Sequence, residues 1–222
     1  RGPAGGGRMS DSLALTLAGE TVWLHGDRAL FYPGESALLV ADTHFGKGAF
    51  LRRRGLAVPG GESRADLDRL SILIEHFQPA RLIVLGDFFH HRPSRGEPFL
   101  DAWPAWRARH ALLTPEVVIG NHDRHAEGLD LDMIWHSHLD LGPFRLVHDP
   151  YPVSGRHVLG GHLHPAYRLH GGADSVRAPV FWLREGVTVL PAFGGLTGGW
   201  PIRPARGEKV VMALDGGLYP LP

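Results

Sequence analysis

The stretch VVIGNHD at residues 117–123 joins a short apolar run to a group of polar side chains. Residues 117–119 are β-branched, which predicts a buried strand that ends at a loop. Asn121 offers an amide oxygen to a hard cation, and His122 can carry a proton near neutral pH. Asp123 is expected to fix the tautomer of that imidazole. A turn with a capping asparagine explains the same tetrapeptide, so its interpretation depends on other parts of the chain.

Four other predicted strands also end in polar side chains. Their ends carry Asp42 and His44 after residues 37–41, Asp87 after 81–85, His148 after 144–147, and His162 and His164 after 157–160. Ligands of open α/β sheets bind beyond the carboxyl ends of the strands. If these strands are neighbours, seven candidate ligands and His122 converge, which is too many groups for one ion and suits two.

Two cations held close together need a shared anionic bridge. Asp87 is the best candidate, because it is the single carboxylate at its strand end. Asp42, His44 and one histidine of the pair 162/164 would complete one ion. Asn121, His148 and the other histidine would complete the second. Nitrogen and oxygen ligands in this mixture favour Mn²⁺, Fe or Zn²⁺ over Mg²⁺ or Ca²⁺.

Such a pair of metals predicts phosphoester hydrolysis. Two cations acidify a bridging water to hydroxide, bind phosphate oxygens and neutralise charge during in-line displacement. His122 is then left as the general acid that protonates the departing oxygen. Asp123 is expected to orient His122, as carboxylates behind a catalytic imidazole commonly do.

The composition is that of one globular α/β domain. The chain has 222 residues, 15 histidines and no cysteine, which excludes disulfides and thiolate metal sites. Residues 1–8 are glycine-rich and precede Met9, so they are expected to be a non-native or disordered extension of a single domain at 9–222. No long apolar run or signal peptide is visible, which favours the cytoplasm. The formal net charge of zero argues against general coating of nucleic acid.

Between the clusters the pattern predicts several local elements. Strands are expected at 13–17, 21–24 and 29–32 as an N-terminal hairpin. A loop is expected at 46–61, followed by a helix opened by a capping box at 63–66. The loop carries Arg52, Arg53 and Arg54. These arginines are either a solvated loop face or contacts to the backbone of a nucleic-acid substrate.

The ordered series D-x-H, GD, GNHD, H and GHxH resembles the calcineurin-like metallophosphoesterase superfamily. The matching residues are Asp42-Thr43-His44, Gly86-Asp87, Gly120-Asn121-His122-Asp123, His148 and Gly161-His162-Leu163-His164. The resemblance implies a four-layer α/β/β/α sandwich of two mixed sheets with a dinuclear centre. It assigns Asp42, His44, Asp87 and His164 to the first metal. It assigns Asp87, Asn121, His148 and His162 to the second, with His122 as the acid.

The flanking segments are similar to the bacterial ligase-associated DNA damage response endonuclease family. They are FLRRRGLAVP at 50–59, LGDFFH at 85–90, GHLHP at 161–165 and PAFGGLTGGW at 191–200. This likeness implies a DNA substrate, single-stranded or structured, and association with a DNA ligase, a helicase and an exonuclease. His90 departs from the superfamily, because a second aspartate often stands at that position. The departure leaves open which residue orients the Asp87 carboxylate from outside the metal centre.

Three functions follow from these patterns. The first is a metal-dependent phosphodiesterase or nuclease that hydrolyses DNA in repair, with Mn²⁺ as the expected metal and Fe or Zn²⁺ as alternatives. The second is a phosphatase for small substrates or a nucleotide phosphodiesterase on the same site. The third is a metal-free binding scaffold, which would predict eroded ligands, whereas every ligand of the pattern is present.

Overall fold

The computed structural model describes residues 11–126, 129–171 and 174–221, so the expected extension at residues 1–8 lies outside the described residues. The described chain forms two mixed sheets and three α-helices. The helices are α1 (Lys47–Arg53), α2 (Glu62–Phe77) and α3 (Pro98–Arg109). None of these helices is long and apolar enough to cross a bilayer.

The first sheet contains seven strands that lie side by side in chain order. They are β1 (Ser12–Leu17), β2 (Glu20–His25), β3 (Ala29–Tyr32), β4 (Ala37–Val40), β5 (Arg81–Val84), β6 (Pro115–Val118) and β7 (Ile134–His136). Strands β1 to β4 are antiparallel, which confirms the predicted N-terminal hairpin, and β4 to β7 are parallel. The ends of β4, β5 and β6 therefore meet at one edge of the sheet.

The second sheet contains nine strands. They are β8 (Leu139–Leu141), β9 (Phe144–Leu146), β10 (His157–Gly160), β11 (Pro165–Gly171), β12 (Asp174–Arg184), β13 (Val187–Val189), β14 (Trp200–Pro201), β15 (Lys209–Leu214) and β16 (Gly217–Leu221). Strand β10 runs parallel to both β9 and β13. The two sheets meet where Ala41, just after β4, bridges Ala192, just after β13. This contact brings the strand ends of both sheets to the same place.

Alternation along β4 shows why the sheets stack. Leu39 lies in the core between the two sheets, together with Phe144 and Phe181 of the second sheet. Leu38 and Val40 point the other way, into a second core under α2 and α3. Burying each such side chain contributes about 1.5–3 kcal/mol. The prediction of a strand that is buried on both faces is confirmed.

The predicted α/β class with two mixed sheets is confirmed. The three α-helices lie within residues 47–109 and cover the first sheet. The outer face of the second sheet carries a smaller apolar cluster around Val180 and Met212, against which Tyr167 and Ile202 pack. After residue 109, the described residues contain no helix longer than a single 3-10 turn.

Two local expectations are wrong. The segment 46–61 is not a continuous loop, because α1 occupies its first half. The capping box at 63–66 is also absent, because α2 begins after Gly61, whose φ is 90°. Ser63 instead accepts a hydrogen bond from the Gly46 N–H at 3.2 Å, and Asp66 accepts one from Gly195. Both side chains serve tertiary contacts, which local patterning does not register.

Candidate metal centre

The ends of the three parallel strands are joined by backbone hydrogen bonds. The Asp42 N–H donates to the Gly86 carbonyl at 3.1 Å, and the His44 N–H donates to the Asp87 carbonyl at 2.9 Å. The His122 N–H donates to Oδ1 of Asp87 at 2.9 Å. The loops after β4, β5 and β6 therefore hold their polar side chains in a common frame around Asp87.

One group of donor atoms is formed by Asp42, His44, Asp87 and His164, whose candidate ligand atoms all lie within 4.8 Å of one another. Nε2 of His44 lies 3.3 Å from Nε2 of His164 and 3.8 Å from Oδ2 of Asp87. Nε2 of His164 lies 3.3 Å from Oδ1 of Asp42. Burial lowers the pKa of His44 to about 2, so its imidazole is neutral.

A second group is formed by Asp87, His148 and His162, again within 4.8 Å. Nε2 of His148 lies 3.4 Å from Oδ1 of Asp87, 3.0 Å from Nδ1 of His162 and 3.1 Å from Oδ1 of Asn121. Nδ1 of His148 faces the Leu85 carbonyl at 3.1 Å, and a carbonyl only accepts. This contact keeps the proton on Nδ1 and directs Nε2 of His148 into the group.

Asp87 belongs to both groups, and Asp42 and Asp87 are 0% and 2% exposed. Within 4 Å their charged partners among the described residues are imidazoles, with no lysine or arginine. Burial opposes ionisation of Asp87, but its hydrogen bonds, first that with His148, lower its pKa to about 2. Burial also opposes the charge on His148, yet Asp87 and Asp42 raise its pKa to about 9. The positive charge on His148 thus offsets part of the negative charge of the two buried carboxylates.

Five of the seven predicted ligands have left-handed backbone conformations. The φ values are 52° for Asp42, 46° for His44, 48° for Asp87, 65° for His162 and 44° for His164. Each such conformation costs a residue other than glycine about 1–3 kcal/mol and persists only where the surroundings enforce it. The concentration of this strain at one place indicates a site whose side-chain directions matter.

Glycines beside the ligands allow the close packing. A Cβ on Gly120 would lie 2.2 Å from Oδ1 of Asp87, and a Cβ on Gly161 would lie 2.5 Å from Oδ2 of Asp42. Neither distance is possible without displacing a carboxylate. The glycines of the GNHD and GHLH motifs therefore provide the space in which the donor atoms converge.

We expect Gly120→Ala to lower both stability and metal content. Overpacking of this kind reduces the free energy of unfolding by about 1–3 kcal/mol, and here the displaced group is Asp87. Thermal denaturation and metal analysis of purified protein measure the two effects. Gly60→Ala is the matched control, because a Cβ at Gly60 meets nothing within 4 Å. Equal metal content in both variants would contradict this explanation.

His122 lies beside Asp87 rather than within either group. Its Nε2 is 4.0 Å from Oδ2 of Asp87. Its Nδ1 lies 2.6 Å from the His90 carbonyl, so the proton sits on Nδ1 and fixes the ring. The expected contact with Asp123 is wrong. Asp123 accepts hydrogen bonds from the backbone N–H groups of Phe89 and Gly120 at 3.0 and 2.9 Å, and thereby ties two loops together.

His90 is a neighbour that the sequence pattern did not assign. Its ring stacks on His122 with the centroids 5.2 Å apart at 21° and meets His44 edge-on at 5.4 Å. Candidate ligand atoms of His44, His90 and His122 lie within 4.8 Å of one another. The signal in the sequence that could have pointed to His90 was its position, where the superfamily often has a second aspartate. At this position the backbone carbonyl orients His122 while the side chain packs against it.

Arg52 and Arg53 at the end of α1, and Arg54 just after it, differ in their surroundings. Arg52 pairs with Glu62 at 3.2 Å and also donates to the Pro59 carbonyl. Arg53 pairs with the buried Glu97 at 3.0 Å. The guanidinium of Arg54 lies 4.8 Å from the centre of the Phe50 ring. Arg52 and Arg53 thus stabilise the fold, and the substrate role predicted for all three stays a prediction.

A family model and several solved structures are similar to this chain. The model of the calcineurin-like phosphoesterase family matches residues 36–204, a range that includes every candidate ligand. The nuclease MPE from Pseudomonas putida, which has a crystal structure, is 38% identical to this chain in sequence, and the two structures superpose with a TM-score of 0.83. The match covers 95% of this chain and 100% of that one.

Two other solved structures show weaker likeness. A protein of unknown function from Aquifex aeolicus is 21% identical with a TM-score of 0.40, covering 58% of this chain and 78% of its own. The phosphoesterase Yfce from E. coli is 15% identical with a TM-score of 0.44, covering 81% and 88%. No protein with a curated description matches the chain. The family match over residues 36–204, together with the 38% identity, shows that the chain belongs to the calcineurin-like phosphoesterase family.

Proposed function

We propose that this chain is a metal-dependent phosphodiesterase that hydrolyses DNA strands. The observation that carries the proposal is the pair of donor groups that share Asp87, with His122 beside them. The family supports the phosphoester chemistry. The name of the Pseudomonas putida relative, a nuclease, supports a nucleic-acid substrate.

The donor set fits two divalent cations. Asp42, His44, Asp87 and His164 would hold the first, and Asp87, Asn121, His148 and His162 the second. Two carboxylates offset only half the charge of two such ions, because the amide is uncharged and imidazoles bind a metal in the neutral form, which requires His148 to lose its proton. The remaining positive charge suits an anionic phosphodiester and a hydroxide. Mn²⁺ is our first choice, since it accepts mixed imidazole and carboxylate ligands.

When bound, two such cations acidify a water molecule and stabilise the charge that develops on phosphate oxygens. The protein's own contribution to the leaving group is His122. Its Nδ1 proton is held by the His90 carbonyl, so Nε2 is the atom that faces the site. In the protonated state Nε2 donates its proton to the departing oxygen of the strand, which becomes a hydroxyl group. Asp123 acts on His122 indirectly, because its hydrogen bonds fix the loops at Phe89 and Gly120.

The biological setting that we propose is DNA repair, alongside a DNA ligase, a helicase and an exonuclease. Support for this setting comes from the flanking segments that resemble the ligase-associated endonuclease family. A deletion strain that is no more sensitive to DNA damage than its parent would contradict it.

Metal removal tests the proposed function directly. Treatment with a chelator is expected to reduce cleavage of a labelled single-stranded oligonucleotide to background, and added Mn²⁺ is expected to restore it. The physical reason is that the buried carboxylates hold the ions on which hydrolysis depends. Cleavage products on a gel and metal analysis of the same samples provide the measurements. Strong nucleotide hydrolysis without DNA cleavage would favour a small-substrate enzyme, and a metal content that Mn²⁺ cannot restore would favour a scaffold.

A further inference from the structure

A cavity borders the metal centre, and most of its walls are residues other than the candidate metal ligands. Its volume is about 560 Å³, within the usual range for small-molecule sites. We call it the Trp200 pocket, and it is lined by His162, Leu163, His164, Trp182, Trp200, Pro201, Ile202 and Arg203. Because His162 and His164 belong to the two donor groups, anything bound in this pocket lies next to the candidate metal centre.

Trp200 presents an exposed ring from a fixed backbone. The residue is 74% exposed, although it stands in strand β14. The backbone N–H of Trp200 donates to the His164 carbonyl at 2.8 Å, and Trp200 pairs with Pro165 of the neighbouring strand β11. A large aromatic side chain that is held rigidly yet left in water loses hydrophobic stabilisation until something covers it. The position therefore favours a partner with a flat apolar face.

The remaining walls supply flat apolar surface and positive charge. Trp182 is anchored by a hydrogen bond from Nε1 to Glu208 at 2.8 Å and by Arg184, whose guanidinium lies 4.9 Å from the ring centre. The lining contains no carboxylate. Arg203 is exposed and forms no ion pair within 4 Å in the part of the chain that the structure describes. An aromatic platform beside a free guanidinium suits a base joined to a phosphate.

We propose that the Trp200 pocket is a base-stacking subsite for the DNA strand. One unpaired base, next to the phosphate at the metal centre, stacks on Trp200, and Arg203 contacts a neighbouring phosphate. Inside a duplex, both faces of a base are already stacked on other bases, so neither face is free for Trp200. The base that enters the pocket is therefore unpaired. This inference rests on the proposed function and adds to it the part of the substrate that the pocket recognises.

The test compares two strands of equal length and charge. One is a thymidine strand, and the other carries abasic residues in place of its bases. Loss of one stacking contact weakens binding by about 5- to 150-fold. We expect Trp200→Ala to raise KM for the thymidine strand within this range and to bring the two strands close to equal kcat/KM. Trp200→Phe keeps a flat ring and is expected to retain most of the preference.

Trp23→Ala is the matched control, since Trp23 is another partly exposed tryptophan and lies on β2 outside the pocket. An unchanged strand preference in Trp200→Ala, or an equal loss on both strands, would overturn the inference. Equal cleavage of both strands by the wild type would also overturn it and leave the proposed function standing. A wild type that hydrolyses bis-p-nitrophenyl phosphate but neither strand would instead refute the proposed function.

Arg203 provides an independent measurement. The slope of log affinity against log salt is negative, and removing one phosphate contact is expected to make it less steep by about 0.7 for a single strand. Arg203→Gln is expected to show this change. Arg206→Gln, in the same segment but outside the Trp200 pocket, is expected to keep the wild-type slope. Identical slopes for all three proteins would remove Arg203 from the subsite.

Discussion

Asp87→Ala is expected to abolish hydrolysis and to lower the metal content below that of the wild type. The Asp87 carboxylate lies 3.8 Å from Nε2 of His44 and 3.4 Å from Nε2 of His148, so both donor groups lose the same anionic member. The two ions would then face each other without shared negative charge. We expect a rate loss of at least about 10³-fold, beyond the roughly 10- to 100-fold that follows loss of outer partners.

The measurements are steady-state cleavage rates and metal analysis of the same preparation. Glu116→Gln is the control, because Glu116 is also a buried carboxylate of the first sheet and pairs with Arg81 at 2.7 Å rather than with the site. That variant should lose stability and keep its metals. An Asp87→Ala protein that retains both wild-type metal content and wild-type rate would refute the shared-bridge arrangement.

His122→Asn is expected to slow the reaction in proportion to the basicity of the leaving group. General acid catalysis contributes about 10²–10⁴-fold where the departing oxygen needs a proton. A deoxyribose oxygen needs one, whereas p-nitrophenolate leaves readily without it. We therefore expect a loss of this size on DNA and a much smaller loss on bis-p-nitrophenyl phosphate, with unchanged metal content.

The comparison of two substrates separates acid catalysis from metal binding. His157→Asn serves as the control, because His157 lies at the start of β10 and contacts Thr188 at 2.9 Å. It should behave like the wild type on both substrates. An equal loss on both substrates in His122→Asn, accompanied by loss of metal, would show that His122 is a ligand instead of an acid.

Much of the fold was predictable because the burial of a strand depends on which residues the strand itself contains. The run at residues 37–41 is apolar at each position, and β4 is buried on both faces. The segment of α1 was missed because it is short and lacks a clear apolar period. The capping box failed because Ser63 and Asp66 bind distant backbone groups. Neither partner lies close enough in sequence to leave a local signal.

By itself the sequence determined the buried strands and the identity of the polar groups at their ends. Those properties depend on neighbouring residues and on side-chain chemistry alone. Tertiary structure decided the rest. Local patterns left open which histidine of the pair 162/164 lies in which group. The fold puts His164 with Asp42 and His162 with His148, as the family resemblance implies, and it orients His122 through the His90 carbonyl. It also set the exposed Trp200 beside the donor groups. These relations arise where two sheets meet through Ala41 and Ala192, a contact between segments about 150 residues apart that no local pattern encodes.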